Sequence, residues 1–126
     1  MPGTDDFSTS IPMEMLSRLL ALGRHYGFDP LCSAEMESYF SSLIARHTIE
    51  ELENSIIPQS FLCVQNKPSW LQGSEWPVSA GEPMVFLGQF DAPVNEHIQG
   101  KLSVYVFCGR TVPTIQTITQ RVGYVP

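Results

Sequence analysis

The hydrophobic pattern of this chain changes its period once, at Pro58. Before that point, apolar residues recur at spacings of three and four, as they do on one face of an α-helix. After it, short apolar and aromatic runs are separated by Gly and Pro, which is typical of β-strands. Helices followed by strands indicate the α+β class. We therefore predict N-terminal helices packed on a mainly antiparallel β-sheet.

The length and composition are consistent with one domain. The chain has 126 residues, of which 43% are hydrophobic. We expect residues 1–9, which are mostly polar, to form a flexible N-terminus. Residues 10–126 are then a single α+β domain, with a helical half over 10–57 and a strand-rich half over 58–126. No run of about 18 apolar residues occurs, so we expect no membrane span.

Three helices are predicted in the helical half. The first begins near Ser10, which is a good N-capping residue. The second follows Ser33, because the apolar residues after it share one helical face. Thr48 and Glu51 have the spacing of a capping box, which opens a short third helix that ends before Pro58.

Four segments of the strand-rich half are candidate strands. They are residues 61–64, 84–90, 102–107 and 114–125. Segment 102–107 is almost wholly apolar and aromatic, which predicts a central strand covered on both faces. The irregular segment 65–83 contains two tryptophans, and a loop of that length is usually functional or packed by its own side chains.

All the net charge of the chain lies in its first half. The formal charge is −6. Residues 1–58 contain nine acids and three bases, whereas residues 59–126 contain four of each. This balance argues against a nucleic-acid binder and against attachment to an anionic membrane. The acidic half indicates either a solvated surface or a surface that attracts a basic partner.

The sequence contains no recognisable catalytic, nucleotide-binding or metal-binding motif. The three histidines and three cysteines do not have metal-ligand spacing, and neither a GxSxG elbow nor a Gly-rich phosphate loop occurs. We therefore predict no enzyme activity, no metal and no cofactor. A pairing of Cys32 with a histidine such as His25 is left open, although inert thiols are commoner.

A cytoplasmic location is expected. The N-terminus lacks the basic and apolar regions of a signal peptide. The cysteines are odd in number and widely spaced, so they do not indicate a disulfide framework.

Two groups of residues are candidates for binding a partner protein. The acids of the helical half can steer a basic partner, and each tryptophan of the irregular segment can act either as a core anchor, which is the preferred interpretation, or as an exposed hot spot. These candidates are Asp29, Glu35, Glu37, Glu50, Glu51, Glu53, Trp70 and Trp76.

The middle of the strand-rich half resembles the YwqG-like family. Residues 67–77 (KPSWLQGSEWP) are similar to the family pattern KPxWxQxxExP, and residues 86–89 (FLGQ) to FLxQ. Residues 100–108 (GKLSVYVFC) are similar to GxLYVFxC. The similarity covers roughly residues 64–108. Many relatives have a cysteine pair where this chain has residues 78–80 (VSA), so any zinc role of that pair is absent here.

The resemblance implies a binding protein. The family is largely uncharacterised and includes candidate immunity proteins of bacterial toxin systems. We therefore predict an immunity protein that binds a cognate antibacterial toxin, such as a basic nuclease domain, and occludes its active site or substrate groove. The alternative is a non-catalytic module that binds a small ligand or a regulatory protein, with the tryptophan loop as a pocket wall.

Overall fold

The computed structural model describes residues 9–92 and 100–122. Its helices are α1 (Met13–Tyr26), α2 (Ala34–Ile44), α3 (Ile49–Glu51) and α4 (Ile57–Ser60), with a π-helical segment over Leu52–Ile56. Its strands are β1 (Val78–Ser79), β2 (Glu82–Pro83), β3 (Val85–Ala92), β4 (Lys101–Cys108) and β5 (Ile115–Val122). Helices precede strands, so the predicted α+β class is confirmed. Residues 1–8 of the predicted flexible N-terminus and 123–125 of the last predicted strand lie outside the described residues.

The start of α1 differs from the prediction. Pro12, and not Ser10, occupies the N-cap position, and its side chain makes no capping hydrogen bond. Ser10 instead contacts α2, where its backbone N–H donates to Glu37 Oε2 at 3.1 Å and its hydroxyl lies 2.5 Å from that of Ser41. The helix ends at Gly27, whose φ of 92° is the left-handed conformation that glycine adopts without a Cβ penalty.

Two predicted helix starts are confirmed. Ser33 caps α2 by accepting a hydrogen bond from the Met36 backbone N–H at 3.0 Å. Thr48 and Glu51 form the predicted capping box, in which each side chain accepts from the backbone N–H of the other residue. Both signals act over three residues, which is why the sequence pattern reveals them.

The predicted end of the third helix before Pro58 is wrong. Helical structure continues from Ile49 to Ser60, because a π-helical segment precedes the proline. In an α-helix, the ring of Pro58 would clash with the carbonyl of Asn54 and would leave it without a donor. The wider π turn, in which the Ile57 N–H donates to the Leu52 carbonyl, accommodates the ring.

The main sheet is antiparallel, with strand order β3-β4-β5. Segment 61–64 does not form the predicted strand, and only an isolated parallel bridge joins Cys63 to Phe86. The segment predicted to be irregular contains the short β1–β2 hairpin. Strand β4 is central, as predicted, but only one of its faces is buried: Ser103, Tyr105 and Phe107 are inaccessible, whereas the residues that alternate with them are partly exposed.

A chain of aromatic rings joins the helices to the sheet. Phe28 and Phe40 stack on Phe61, with centroids 4.1 Å and 5.9 Å from its ring. Trp76 lies edge-on between Phe61, at 5.1 Å, and Phe107 of β4, at 5.4 Å. The helices thus pack on one face of the sheet through a single core cluster.

Candidate partner-binding surface

An open groove of about 900 Å³ lies between α2 and the β1–β2 hairpin. The hairpin is tight because Ala80 and Gly81 at its tip have φ values of 54° and 78°, and two consecutive positive φ angles are typical of a type I′ turn. We call this concavity the α2–hairpin groove. Its lining residues include Glu35, Tyr39, Leu43 and Arg46 of α2, and Val78 and Glu82 of the hairpin.

A cleft of about 270 Å³ adjoins the groove and shares Glu35 and Val78 with it. Glu75 and Cys32 also line the cleft. Glu35, Glu75 and Glu82 therefore border one continuous concave surface. The sequence does not show that Glu35 lies near the other two, because it precedes Glu75 by 40 residues and belongs to the other half of the chain.

The combined concavity is negatively charged. Among the described lining residues of groove and cleft, Arg46 is the one base, and its guanidinium donates to the backbone carbonyl and hydroxyl of Ser42, both at 3.2 Å. Glu75 accepts a hydrogen bond from Gln120 Nε2 at 2.7 Å. Glu35 is exposed and Glu82 is half-buried, so both are accessible to a cationic side chain of a partner.

The thiol of Cys32 is unsuited to nucleophilic chemistry. Burial raises its pKa to about 11, and the negative charges of Asp29 and Glu75 act in the same direction. The thiolate is the nucleophile, so this group is almost wholly unreactive near neutral pH. Asp29 itself accepts a hydrogen bond from the Leu31 backbone N–H at 2.9 Å, which stabilises the turn before α2.

The acids of α3 and the π-helical segment lie elsewhere and have partners within the molecule. Glu53 forms a bidentate ion pair with Arg18, with oxygen-to-nitrogen distances of 3.0 Å and 2.5 Å. Glu50 lies 3.9 Å from the same guanidinium. Glu51 belongs to the capping box, and its carboxylate is 3.6 Å from His47. Each of these charges therefore has a structural role.

The predicted acids do not form one common patch. Glu35 borders the groove, whereas Glu37 accepts from the Ser10 backbone in front of α1, because residues two apart point to different sides of a helix. The structure thus places Glu35 at the concavity, Asp29 in the turn before α2 and Glu37 at the contact with Ser10. The other three acids lie in α3 and the π-helical segment. The structure adds Glu75 and Glu82 to the concavity, which the charge pattern missed because their half of the chain is neutral.

Both predicted tryptophans are structural. Trp76 is 1% exposed and donates from Nε1 to the Met84 carbonyl at 2.8 Å, so a partner has almost no access to it. It is therefore corrected from a partner-binding candidate to a core anchor, which was the preferred interpretation. Trp70 is half-buried, stacks on Tyr105 at 4.4 Å, and donates to the Gly27 carbonyl at 2.6 Å.

A second cleft, of about 360 Å³, lies beside Trp70. Arg24 and Asp29 line it, together with Lys67. The ammonium of Lys67 donates to the carbonyls of Arg24 and His25 at 3.0 Å and 3.1 Å, so it caps the C-terminal end of α1. The positive charge of Lys67 therefore already interacts with backbone carbonyls of the protein itself.

Neither a metal site nor a membrane-spanning helix is present in the part of the chain that the structure describes. Across residues 9–92 and 100–122, no three His, Cys, Asp or Glu side chains are arranged to hold a metal ion. Within the same ranges, the helices are too short or too polar to cross a membrane.

No family model, no curated protein and no solved structure matches this chain. The resemblance to the YwqG-like family therefore stays a prediction.

Proposed function

We propose that this protein is an immunity protein, which neutralises a cognate antibacterial toxin in the cytoplasm by occluding its active site or substrate groove. The observation that carries the proposal is the acidic concavity bordered by Glu35, Glu75 and Glu82. A toxin that cleaves nucleic acid needs lysines and arginines at its substrate groove, since phosphate binding depends on them. A protein that presents carboxylates to those residues competes directly with the substrate.

The shape of the groove supports binding to a protruding segment of the toxin. A volume of about 900 Å³ is in the range that encloses several side chains. Leu43, Val78 and the ring of Tyr39 provide apolar contact area, and Glu35 and Glu82 provide charge. We therefore expect a basic loop or helix end of the toxin to enter the groove, where apolar contacts give affinity and the carboxylates give specificity.

The remaining acids act at longer range in this proposal. Glu50, Glu51 and Glu53 are neutralised in part by Arg18 and His47. They add to the negative potential that attracts a basic toxin, and this effect is weakened by salt.

The proposal expects a toxin gene beside the gene of this protein, and the test uses that toxin domain in a catalytically inactive form for binding kinetics. For the double variant Glu35→Lys/Glu82→Lys, we expect the association rate constant to fall about tenfold or more at low salt. We also expect this variant to lose its ability to protect cells from the active toxin. The matched control, Glu14→Lys/Glu50→Lys, makes the same change in net charge away from the groove and is expected to lower the rate about threefold at most.

Three outcomes would contradict the proposed function or the proposed binding site. A toxin that is equally lethal with and without the protein refutes the immunity function. Equal slowing in both variants refutes the groove as the binding site. A greater effect of the control would assign the steering to acids outside the groove.

The cleft beside Trp70 supports the alternative function, a module that binds a small ligand. Its volume of about 360 Å³ and the aromatic side chains of Phe28 and Trp70 in its lining are suitable for a compact ligand. Binding there would change the emission of Trp70, while buried Trp76 would report no change. A Trp70→Phe variant that abolishes a ligand-induced fluorescence change would identify this site.

A further inference from the structure

Strand β5 is an open edge of the main sheet. Over the two described ranges, 9–92 and 100–122, no strand pairs with its outer side. The eight residues of β5 contain no Pro, Gly or Lys, and their pairing with β4 runs without a bulge. Arg121 is the one charged residue, and Ile115 is 66% exposed. Edge strands in monomeric proteins are usually protected by charges, prolines or bulges, and this strand largely lacks them.

The hydrogen-bond pattern shows which backbone groups of β5 point outward. The Gly109 N–H donates to the Thr114 carbonyl at 2.9 Å, immediately beyond the pair formed by Cys108 and Ile115. That pair therefore lies between ladder hydrogen bonds, and the backbone groups of Ile115 point away from β4. Because the ladder is regular, the same holds for every second residue along β5. These outward residues are Ile115, Thr117, Thr119 and Arg121.

One outward group is already occupied. The side-chain amide of Gln72 donates to the Arg121 carbonyl, so the irregular segment covers that end of the edge. Among residues 9–92 and 100–122, nothing binds the outward backbone groups of Thr117 and Thr119 in the middle of the strand, and both residues are exposed.

We propose that a second copy of this chain pairs with β5 in antiparallel fashion, which joins the two sheets into one. Residues opposite each other in an antiparallel pair lie on the same face. A two-fold axis at Ile118 satisfies this rule and places Thr117 opposite Thr119 of the second copy. Each threonine then donates its N–H to the carbonyl of the other, on both sides of the axis.

Charge favours a second copy as the occupant. Residues 1–58 carry the whole net charge of −6, whereas residues 59–126 contain four acids and four bases, so two copies repel each other least through their sheets. In the proposed register, Arg121 lies opposite Ile115 of the second copy, so no like charges face each other. The strand is thus complementary to itself in both hydrogen bonding and charge.

The experiment is sedimentation velocity of the full chain over a range of concentrations. We expect a species of twice the chain mass. Thr119→Pro removes one outward N–H without removing a β4 ladder bond, and should raise the dimer dissociation constant at least tenfold. The double variant Thr117→Lys/Thr119→Lys places lysines of the two copies opposite each other across the axis. Their repulsion should also raise the dimer dissociation constant at least tenfold. Thr117→Val/Thr119→Val is the matched control that keeps the dimer. Circular dichroism checks that each variant is folded.

Two results would overturn the proposal. One is a wild-type chain that stays monomeric up to millimolar concentration. The other is a dimer that survives the lysine variant and dissociates with Phe90→Glu, because the exposed ring of Phe90 lies on the open sheet face and would then mark stacking of faces in place of pairing of edges. The lysine variant keeps the experiment decisive if the proline variant fails to fold.

Discussion

The helix caps of the helical half join residues that are close in sequence, whereas the buried polar contacts that anchor the strand-rich half join residues that are far apart in sequence. The caps of α2 and α3 join residues three apart. In contrast, Gln120 binds backbone groups 47 to 49 residues away, and Arg110 binds carbonyls 27 to 51 residues away. The difference teaches that the starts of α2 and α3 are specified locally, whereas the irregular segment and the sheet hold their positions only when the whole chain is folded. We therefore expect mutations in the first set to act locally and those in the second to act globally.

The largest effect is expected for Gln120→Leu. The buried amide accepts from the N–H groups of Leu71 and Gln72 and donates to the Gly73 carbonyl and Glu75, all within 3.0 Å. Leucine leaves these partners unpaired, which should lower the free energy of unfolding by about 2–4 kcal/mol. Urea unfolding measures it. Gln116→Leu, exposed on the same face of the same strand, is the control and should change stability by less than about 0.5 kcal/mol.

A smaller global effect is expected for Arg110→Met. Its guanidinium donates to the carbonyls of Gln59 and Ser60 at the end of α4, both at 2.6 Å, and to that of Pro83 at 3.1 Å. Because the residue is exposed, the loss should be about 1–2 kcal/mol, measured by thermal unfolding. Arg110→Lys keeps the charge but not the forked geometry and should recover only part of it. Full recovery by lysine would show that charge alone holds the two halves together.

A local effect is expected for Thr48→Ala. The substitution removes the acceptor for the Glu51 N–H and should lower stability by about 1 kcal/mol. Amide hydrogen exchange should accelerate in residues 49–57 and stay nearly unchanged in β4. Thr48→Ser, which keeps the cap, is the control. Equal acceleration across the sheet would contradict the division between local and global contacts.

The smallest effect is the pH dependence of the same cap. The hydrogen bond from the Thr48 N–H lowers the pKa of Glu51 below its ordinary value of 4.5, with a further contribution from His47. A carboxyl whose pKa is lowered by folding stabilises the fold above its ordinary pKa, and this contribution is lost as the pH falls through the lowered value. The protection factors of residues 49–52, which correct for the slower intrinsic exchange at low pH, should therefore decrease below pH 4.5 in the wild type. Glu51→Gln should remove this pH dependence, and a persisting dependence would assign it to another group.

The same difference in range explains what the sequence could predict. The caps at Ser33 and Thr48 and the central position of β4 follow from nearby residues, and all three were predicted. The contact of Ser10 with α2, the failure of 61–64 to form a strand, and the exposure of one face of β4 depend on elements distant in sequence. The acidic concavity is a further case, because Glu35 meets Glu75 and Glu82 only through the packing of α2 beside the hairpin. The residue pattern within one segment does not indicate which distant segment will pack beside it.

The π-helical segment before Pro58 has a consequence for insertions and deletions. Its hydrogen bond spans one more residue than that of an α-helix, so removing a residue from Leu52–Ile56 would return the segment to α geometry, in which the ring of Pro58 clashes with the carbonyl four residues before it. Since each residue turns an α-helix by about 100°, every other change of length there would rotate α4 against the core. Ile57 would leave its buried position, and the hydroxyl of Ser60 would lose Tyr39, which donates to it at 2.7 Å. Homologues should therefore conserve the length of this segment more strictly than its residue types.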